Sequence, residues 1–229
     1  MFKTETHMHT RESSPCAHEK AIKMVDHYKE AGFSTVFTSD HISRRIFDNY
    51  GDVSWKDKVT MFMAGYYRAR HRGLTIGVNV LFSVELEVRD EYRNHYLLYN
   101  VTREFLEEHE CILYASIEEL YPLFKENDIY VVQAHPARLT SIPTPNSVDA
   151  FEVYNGKLAD EFNEEALKLA VEYDLPQTAG SDAHKLEHIG QAAVLSEFEI
   201  KTSQDYINLL KNRQAVIYRK PKEPLEKGE

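Results

Sequence analysis

Apolar positions along the chain alternate between short continuous runs and stretches with helical spacing, which is the pattern of an α/β protein. The runs Phe2–Thr6, Ser34–Thr38 and Ile129–Ala134 predict buried strands. Between the first two runs, apolar residues recur at helical spacing up to Gly32, which predicts the end of a helix there. The other predicted strands are Thr75–Leu86, His95–Val101, Ala150–Tyr154, Gln177–Gly180 and Ala215–Tyr218, and the other predicted helices are Trp55–Arg72, Ile117–Glu126, Glu161–Glu172 and Ser203–Asn212.

This series of about seven strand–helix units favours a closed, TIM-like barrel over an open sheet. The units are irregular, because two strands follow one another without a helix around residues 75–101. We therefore predict a distorted barrel made by a single domain over residues 1–229, with a charged tail from about residue 220. An open doubly wound sheet is the alternative.

Composition narrows the classes of function. The net charge is 27 − 37 = −10, which argues against broad binding to long nucleic acids or anionic membranes but allows a small anionic substrate. Cys16 and Cys111 are the only cysteines, so no disulfide framework is expected and a reducing cytoplasm is the expected location. No apolar run reaches the ~20 residues that span a bilayer, and the first ten residues do not resemble a signal peptide.

Residues of the kinds that bind metal ions fall where successive predicted strands end. In parallel α/β architectures these ends converge on one face, so ligands distant in sequence become neighbours. A cluster of imidazoles and carboxylates suits divalent transition metals, which activate water for hydrolysis. The pattern predicts a metallohydrolase. The eight candidate ligands are His7, His9, His41, Glu85, His95, His135, Asp182 and His184.

The motifs that carry these residues resemble those of the polymerase and histidinol phosphatase (PHP) superfamily. They cover residues 7 to 184 in the order of that family. The resemblance implies a distorted (β/α)7 barrel that holds two or three Zn, Mn or Fe ions and hydrolyses phosphate esters. The matching motifs are His7-Met8-His9-Thr10, Thr38-Ser39-Asp40-His41, Glu85 in SVE, His135-Pro136 in AHP, and Ser181-Asp182-Ala183-His184.

The resemblance also implies how the ligands divide among the ions. The first ion would take His7, His9, Glu85 and Asp182, and Glu85 would bridge to a second ion that His95 and His135 complete. A third ion would take His41 and His184. Its remaining ligand is left open, since Ser14 and Pro15 stand where many relatives have Asp or His. Glu12 is the first candidate, followed by Cys16 and His18.

Arg138, three residues after His135, is the candidate phosphate clamp, because its planar fork matches phosphate oxygens. Arg44, together with Arg45, and Tyr154 are further candidates for the substrate pocket. A solvated loop arginine and a structural tyrosine are the alternative interpretations.

For catalysis itself the candidates are Glu85, Arg138, His41 and His184, the two histidines as proton carriers if no third ion is bound. Asp40 is a candidate to orient His41, and a surface turn carboxylate is the alternative interpretation.

The sequence therefore predicts a metal-dependent phosphatase acting on a small phosphorylated metabolite, such as histidinol phosphate or a nucleotide. Hydrolysis of phosphodiesters in short nucleotides is one alternative. A metal-binding regulatory domain without catalysis is the other, although loss of catalysis normally removes ligands that are present here. The oligomeric state is left open.

Overall fold

The structure is a computed structural model that describes residues 1–88 and 92–221. Its strands are β1 (Phe2–Met8), β2 (Thr35–Ile42), β3 (Asn79–Glu87), β4 (His95–Tyr99), β5 (Tyr130–Ala134), β6 (Ala150–Asn155), β7 (Gln177–Gly180), β8 (Ala192–Ser196) and β9 (Val216–Arg219). Its α-helices are α1 (Ala21–Glu30), α2 (Arg44–Asp48), α3 (Trp55–Phe62), α4 (Ala64–Ile76), α5 (Arg103–Glu108), α6 (Ile117–Glu126), α7 (Asp160–Glu172) and α8 (Ser203–Lys211).

These strands form one sheet that curves into a nearly closed barrel. The strand order is β7-β6-β5-β4-β3-β2-β1-β8-β9. The free edge of β7 returns to β1, where Met8 and Ala183 form a parallel bridge. Two hydrogen bonds hold this seam: His9 N donates to Ala183 O at 3.0 Å, and Ala183 N donates to His7 O at 3.1 Å. The predicted distorted barrel is confirmed, with β8 and β9 as additional antiparallel strands beside β1.

One strand of the barrel runs against its neighbours. β1, β2 and β3 are parallel, and so are β5, β6 and β7, but β4 is antiparallel to both β3 and β5. The first residue of β4, His95, therefore pairs with Glu87 near the end of β3 and with Ala134 at the end of β5. The reversal follows from the direct β3–β4 connection, which the sequence indicated by two strands without a helix between them.

The predicted helix Trp55–Arg72 is two helices, and no predicted element covers β8. The break at Met63 lies against the loop after β1. There the hydroxyl of Ser13 donates to Phe62 O and accepts from Gly65 N. Gly65 is required because a Cβ atom at this position would collide with the hydroxyl of Thr10. Packing from a distant loop thus interrupts a stretch that has local helical periodicity.

The helices place their apolar faces against the outside of the barrel. In α6, a capping box between Ser116 and Glu119 starts the helix, and Ile117, Leu120 and Phe124 are its buried residues. Within residues 1–88 and 92–221, no helix is long and apolar enough to cross a membrane.

A buried carboxylate fixes the seam between β1 and β7. Glu5 Oε1 accepts from the backbone amides of Thr6, His7 and Ser181 at 3.0, 2.9 and 2.9 Å, and Oε2 accepts from the hydroxyl of Tyr28 at 2.8 Å. Burial raises the pKa of Glu5 above its ordinary value, although these hydrogen bonds oppose the shift. One side chain therefore satisfies donors from both edges of the barrel and from α1.

Replacing Glu5 with Ala should lower the free energy of unfolding by about 3–5 kcal/mol, because it leaves three buried amides without an acceptor. Tyr28→Phe should cost only about 1 kcal/mol, since it removes one hydroxyl. Urea denaturation measures both values. Glu30→Ala, on the exposed end of α1, serves as the control. A loss for Glu5→Ala as small as that of the control would contradict the proposed role of this carboxylate.

Candidate metal centre

The strand ends bring all eight predicted ligands to one edge of the barrel. His7 and His9 come from the end of β1, and His41 comes from β2. Glu85 comes from the end of β3, and His95 opens β4 at the same edge because that strand is reversed. The other three follow β5 and β7 and are buried: His135, Asp182 and His184.

The carboxylate of Glu85 lies at the centre of this cluster and is 1% exposed. Its Oε2 atom lies 3.3 Å from His7 Nε2, 3.3 Å from His9 Nε2 and 2.9 Å from His41 Nδ1. Its Oε1 atom faces the other way, 2.8 Å from His95 Nδ1 and 3.1 Å from His135 Nε2. The two oxygens thus divide five imidazoles into two groups, which is the arrangement expected of a bridging carboxylate.

Asp182 forms a second acidic centre beside the first group of imidazoles. Its Oδ1 atom lies 3.3 Å from His9 Nε2, 3.2 Å from His184 Nδ1 and 3.8 Å from His7 Nε2. His9 therefore stands between two carboxylates, while His184 extends the cluster toward the opening of the barrel.

Several of these atoms approach one another without forming hydrogen bonds. His7 Nε2, His9 Nε2, His41 Nδ1 and Glu85 Oε2 are buried and have no hydrogen-bond partner among the described residues. Buried polar atoms without partners are costly, so a cluster of them fits a site that binds a cation. Three groups have ligand atoms within 4.8 Å of one another: His7–His9–Glu85, His41–Glu85–His95 and His9–His41–His184. The donor set fits divalent transition metals.

Electrostatics favour the ionised carboxylates. Burial alone raises the pKa of Glu85, but the charges of His41 and His7 outweigh it and hold the pKa well below its usual range. Burial also lowers the pKa of His9 well below its ordinary value, and the charges of His41 and His184 lower it further. Despite burial, the ionised carboxylates raise the pKa values of His7 and His41, and a bound cation would replace the protons on these rings.

Glu152, on β6, orients the ligands from behind. Its Oε1 atom lies 2.9 Å from His7 Nδ1, and its Oε2 atom accepts from His135 N at 3.1 Å and from Asn155 Nδ2 at 2.9 Å. Carboxylates behind metal-binding histidines set the ring orientation and tautomer. Sequence reasoning missed this residue; the signal was a single Glu inside the apolar run of β6.

The carboxylate of Asp40 holds a loop and not the ring of His41. It accepts from Thr10 N, Thr10 Oγ1 and Ser14 Oγ, each at 2.7 Å. Burial raises its pKa to about 6. Ser14 Oγ in turn accepts from His41 N at 3.0 Å and lies 3.5 Å from His9 Nδ1. Asp40 therefore positions the ligands through Ser14, which corrects the expectation that it contacts His41 directly.

Glu12, the first candidate for the remaining ligand of a third ion, points away from the cluster. Its Oε2 atom accepts from Ala21 N at 2.9 Å at the start of α1, and its Oε1 atom lies 3.4 Å from Arg68 Nη1. The carboxylate is engaged in stabilising this helix, so Glu12 is not placed to bind an ion beside His41 and His184.

Cys16, the second candidate, lies where Glu12 was expected. It lines the cleft together with His184 and His41. Burial raises the pKa of its thiol, but the neighbouring His184 and His41 outweigh burial and lower the pKa to about 6. His18, the third candidate, is exposed, and only its backbone amide reaches the site, donating to His184 O at 2.8 Å.

An open cleft of about 220 Å³ gives access to the cluster. Arg45, Arg138 and Lys157 line it together with the ligands. Arg138 Nη2 donates to Arg93 O at 2.9 Å, while its buried Nε has no partner among the described residues. Lys157 Nζ lies 3.6 Å from Asp182 Oδ2. Sequence reasoning missed Lys157, which a turn after β6 carries to the site.

Two predicted substrate residues do not line this cleft. Arg44 lies in a neighbouring depression, with its Nε 3.6 Å from Asp48 Oδ2. Tyr154 is 9% exposed and packs beneath Arg219, whose guanidinium carbon is 4.6 Å from the ring centre. Tyr154 therefore has the structural role that was the alternative interpretation.

Comparison with known proteins agrees with this class of fold. A family model described as PHP-associated matches residues 160–215. No curated protein sequence matches the chain significantly. Among solved structures, PsfC from Pseudomonas syringae has a TM-score of 0.70 at 19% identity, with 96% of this chain and 91% of that chain covered.

Two other similar structures are longer than this chain. A two-domain protein from Bacteroides vulgatus that contains a predicted PHP-like metal-dependent phosphoesterase has a TM-score of 0.68 at 16% identity, with 95% of this chain and 64% of that chain covered. The lesion-specific endonuclease Q of Pyrococcus furiosus has a TM-score of 0.64 at 18% identity, with 92% and 56% covered. The shared fold and the PHP-associated segment confirm the resemblance to the PHP superfamily.

Replacing Glu85 with Gln should remove most of the bound metal, because it removes a negative charge shared by both groups of imidazoles. Elemental analysis of protein purified without chelator should find two or three transition-metal ions per wild-type chain and fewer in the variant. Glu87→Gln is the matched control: it lies two residues along the same strand and lines the same cleft. A full complement of metal in Glu85→Gln, or its loss in Glu87→Gln, would show that the bridging residue is misassigned.

Replacing Glu152 with Gln should weaken metal binding about 10–100-fold while the fold is kept, because the acceptor that orients His7 is lost. Competition with a coloured zinc chelator measures the affinity. Glu161→Gln, on the exposed face of α7, should bind metal as the wild type does. Unchanged affinity in Glu152→Gln would limit this carboxylate to a role in folding.

Proposed function

We propose that this protein is a metal-dependent phosphoesterase that hydrolyses small phosphomonoesters. The observation that carries the proposal is the carboxylate of Glu85, which is held between two groups of imidazoles beneath a cleft lined by cationic side chains. A single sheet takes strands from residues 2 to 219, which supports the further proposal that the whole chain works as one domain.

The proposed ligand groups share Glu85. His7, His9 and Asp182 would hold one ion with its Oε2 atom, and His95 with His135 would hold another with its Oε1 atom. When bound, such ions supply an activated water and neutralise charge on the phosphoryl oxygens. The chain itself supplies the spacing, because both groups are fixed to the two oxygens of one buried side chain.

The residues around the opening would bind the phosphate. Arg138 presents a planar guanidinium, and the hydrogen bond to Arg93 O holds that group at the cleft. Lys157 adds an ammonium group that the nearby Asp182 keeps at the edge of the cluster. Arg45 lines the same opening. These cations attract a terminal phosphate and orient its ester bond toward the buried carboxylate.

His41 and His184 would hold a third ion, next to the ring of His9. Without an ion there, the pKa of His184 is about 9, because Asp182 outweighs the effect of burial. Its ring would then hold a proton beside the cleft. We propose the ligand role first, since the buried Nδ1 of His41 has no hydrogen-bond partner among the described residues.

A phosphodiesterase is the second candidate function, and a specific observation favours it. Depressions next to the cleft share Arg45 and Glu87 with it and add Arg44 and Arg93, so cationic side chains continue past the site. Endonuclease Q, which shares this fold, is known in complex with a 27-mer duplex that carries an abasic lesion. That similarity weakens the argument from net charge against long nucleic acids. A regulatory domain without catalysis receives no such support, because all eight candidate ligands are in place.

The two candidates differ in the charge of their substrates. A phosphomonoester carries about two negative charges near neutral pH and a diester carries one, so a pocket of metals and cations should favour the monoester. We expect a higher kcat/KM for p-nitrophenyl phosphate than for its bis-ester. Preference for the bis-ester would replace the first candidate with the second, and hydrolysis of neither by the metal-loaded protein would contradict both.

Replacing Arg138 with Ala should lower kcat/KM for monoesters, and the loss should correspond to about 2–4 kcal/mol of transition-state stabilisation. Arg138→Lys should recover only part of this loss, because a point charge does not reproduce the fork. Arg213→Ala is the control, since Arg213 pairs with Asp174 far from the cleft. Normal activity in Arg138→Ala would show that this residue does not bind the phosphate.

A further inference from the structure

A cysteine stands at the open side of the cluster, next to two of its histidines. We propose that Cys16 is a thiolate ligand to an ion that His41 and His184 also bind, so that this position selects thiophilic metals. The inference rests on the proposed metal centre of the phosphoesterase, but it does not depend on which ester is hydrolysed. It assigns a sulfur ligand to the third ion, whereas the eight other candidate ligands of the cluster are imidazoles and carboxylates.

The loop around Cys16 holds the thiol in this position. On one side, Ser14 Oγ donates to Asp40, and Ala17 N donates to Ser14 O at 2.9 Å. On the other side, His18 N donates to His184 O at 2.8 Å. Hydrogen bonds thus attach the loop both to the end of β2 and to the segment after β7. Cys16 lines the same cleft as His41 and His184, which come from those same two segments.

The neighbouring imidazoles support an ion at this position. The buried Nδ1 of His41 has no hydrogen-bond partner among the described residues. The ring centre of His9 lies 4.4 Å from that of His41 and 4.2 Å from that of His184. Ligand atoms of these three rings lie within 4.8 Å of one another. A cation beside these rings would give His41 the partner that it lacks.

The ligand type determines which ions this position prefers. Thiolate is a soft ligand that favours Zn and Co(II) over Mn or Mg, whereas a carboxylate suits the harder ions. Binding releases the thiol proton to solvent, since the ligand is the thiolate. A carboxylate ligand, which Glu12 would have provided, is absent from this position because the Glu12 side chain caps α1.

Cobalt spectroscopy tests this assignment without measuring activity. The metal-free wild type is titrated with Co(II), and a thiolate ligand should produce an intense sulfur-to-cobalt charge-transfer band in the near ultraviolet. Cys111→Ser, which removes the other exposed cysteine, should keep the band, and Cys16→Ser should lose it. Cys16→Asp should lose the band yet bind cobalt with the d–d absorption of an oxygen ligand, which separates loss of the ligand from misfolding.

Alkylation provides a second measurement within a single chain. Zn(II) should slow the reaction of iodoacetamide with Cys16 at least roughly tenfold and leave the reaction of Cys111 unchanged. Mass spectrometry of the two cysteine-containing peptides measures both rates. Mn(II) should protect Cys16 much less than Zn(II) does. No charge-transfer band with cobalt bound, a band retained in Cys16→Ser, or equal alkylation with and without zinc would each overturn the assignment. A cobalt–thiolate band in a protein that hydrolyses no phosphate ester would overturn the proposed function and leave this inference standing.

Discussion

The burial of one carboxylate among five imidazoles is the constraint on which the rest of this structure depends. Taking an ionised carboxylate out of water costs several kcal/mol unless partners compensate for it. Each oxygen of Glu85 has its own group of imidazoles, and these come from β1, β2, β4 and the loop after β5. The site is therefore stable only when several strand ends meet at one edge. The barrel must close for the site to assemble.

The reversed strand β4 follows from this requirement. In a regular parallel barrel the first residue of a strand lies at the edge opposite the site. Because β4 runs antiparallel, its first residue, His95, reaches the same edge as Glu87 on β3 and Ala134 on β5. The departure from a regular (β/α) pattern thus supplies one ligand to the second group. Glu5, on β1, secures the seam that brings Asp182 beside His7.

The sequence was sufficient for the barrel and for the eight clustered residues, because strand ends and period-two spacing are local features. It was insufficient to predict which loop side chains reach the site, because the path of the loop determines their position. The sequence ranked Glu12 ahead of Cys16, but the loop that the contact of Asp40 with Ser14, 26 positions away, holds in place turns Cys16 toward the site and Glu12 toward α1. Lys157 was missed for the same reason, since no pattern of residues reveals where a turn delivers its side chain.

The acidic net charge of the chain does not by itself decide what the cleft can bind. The chain has a net charge of −10, yet Arg45, Arg138 and Lys157 line the opening of the cleft. At physiological ionic strength, charges more than about 8 Å apart are largely screened, so distant surface carboxylates contribute little at the site. Nearby cations act within this distance. An acidic surface therefore does not prevent the cleft from accepting an anion, but it limits a long polyanion that must also contact the surface beyond the cleft.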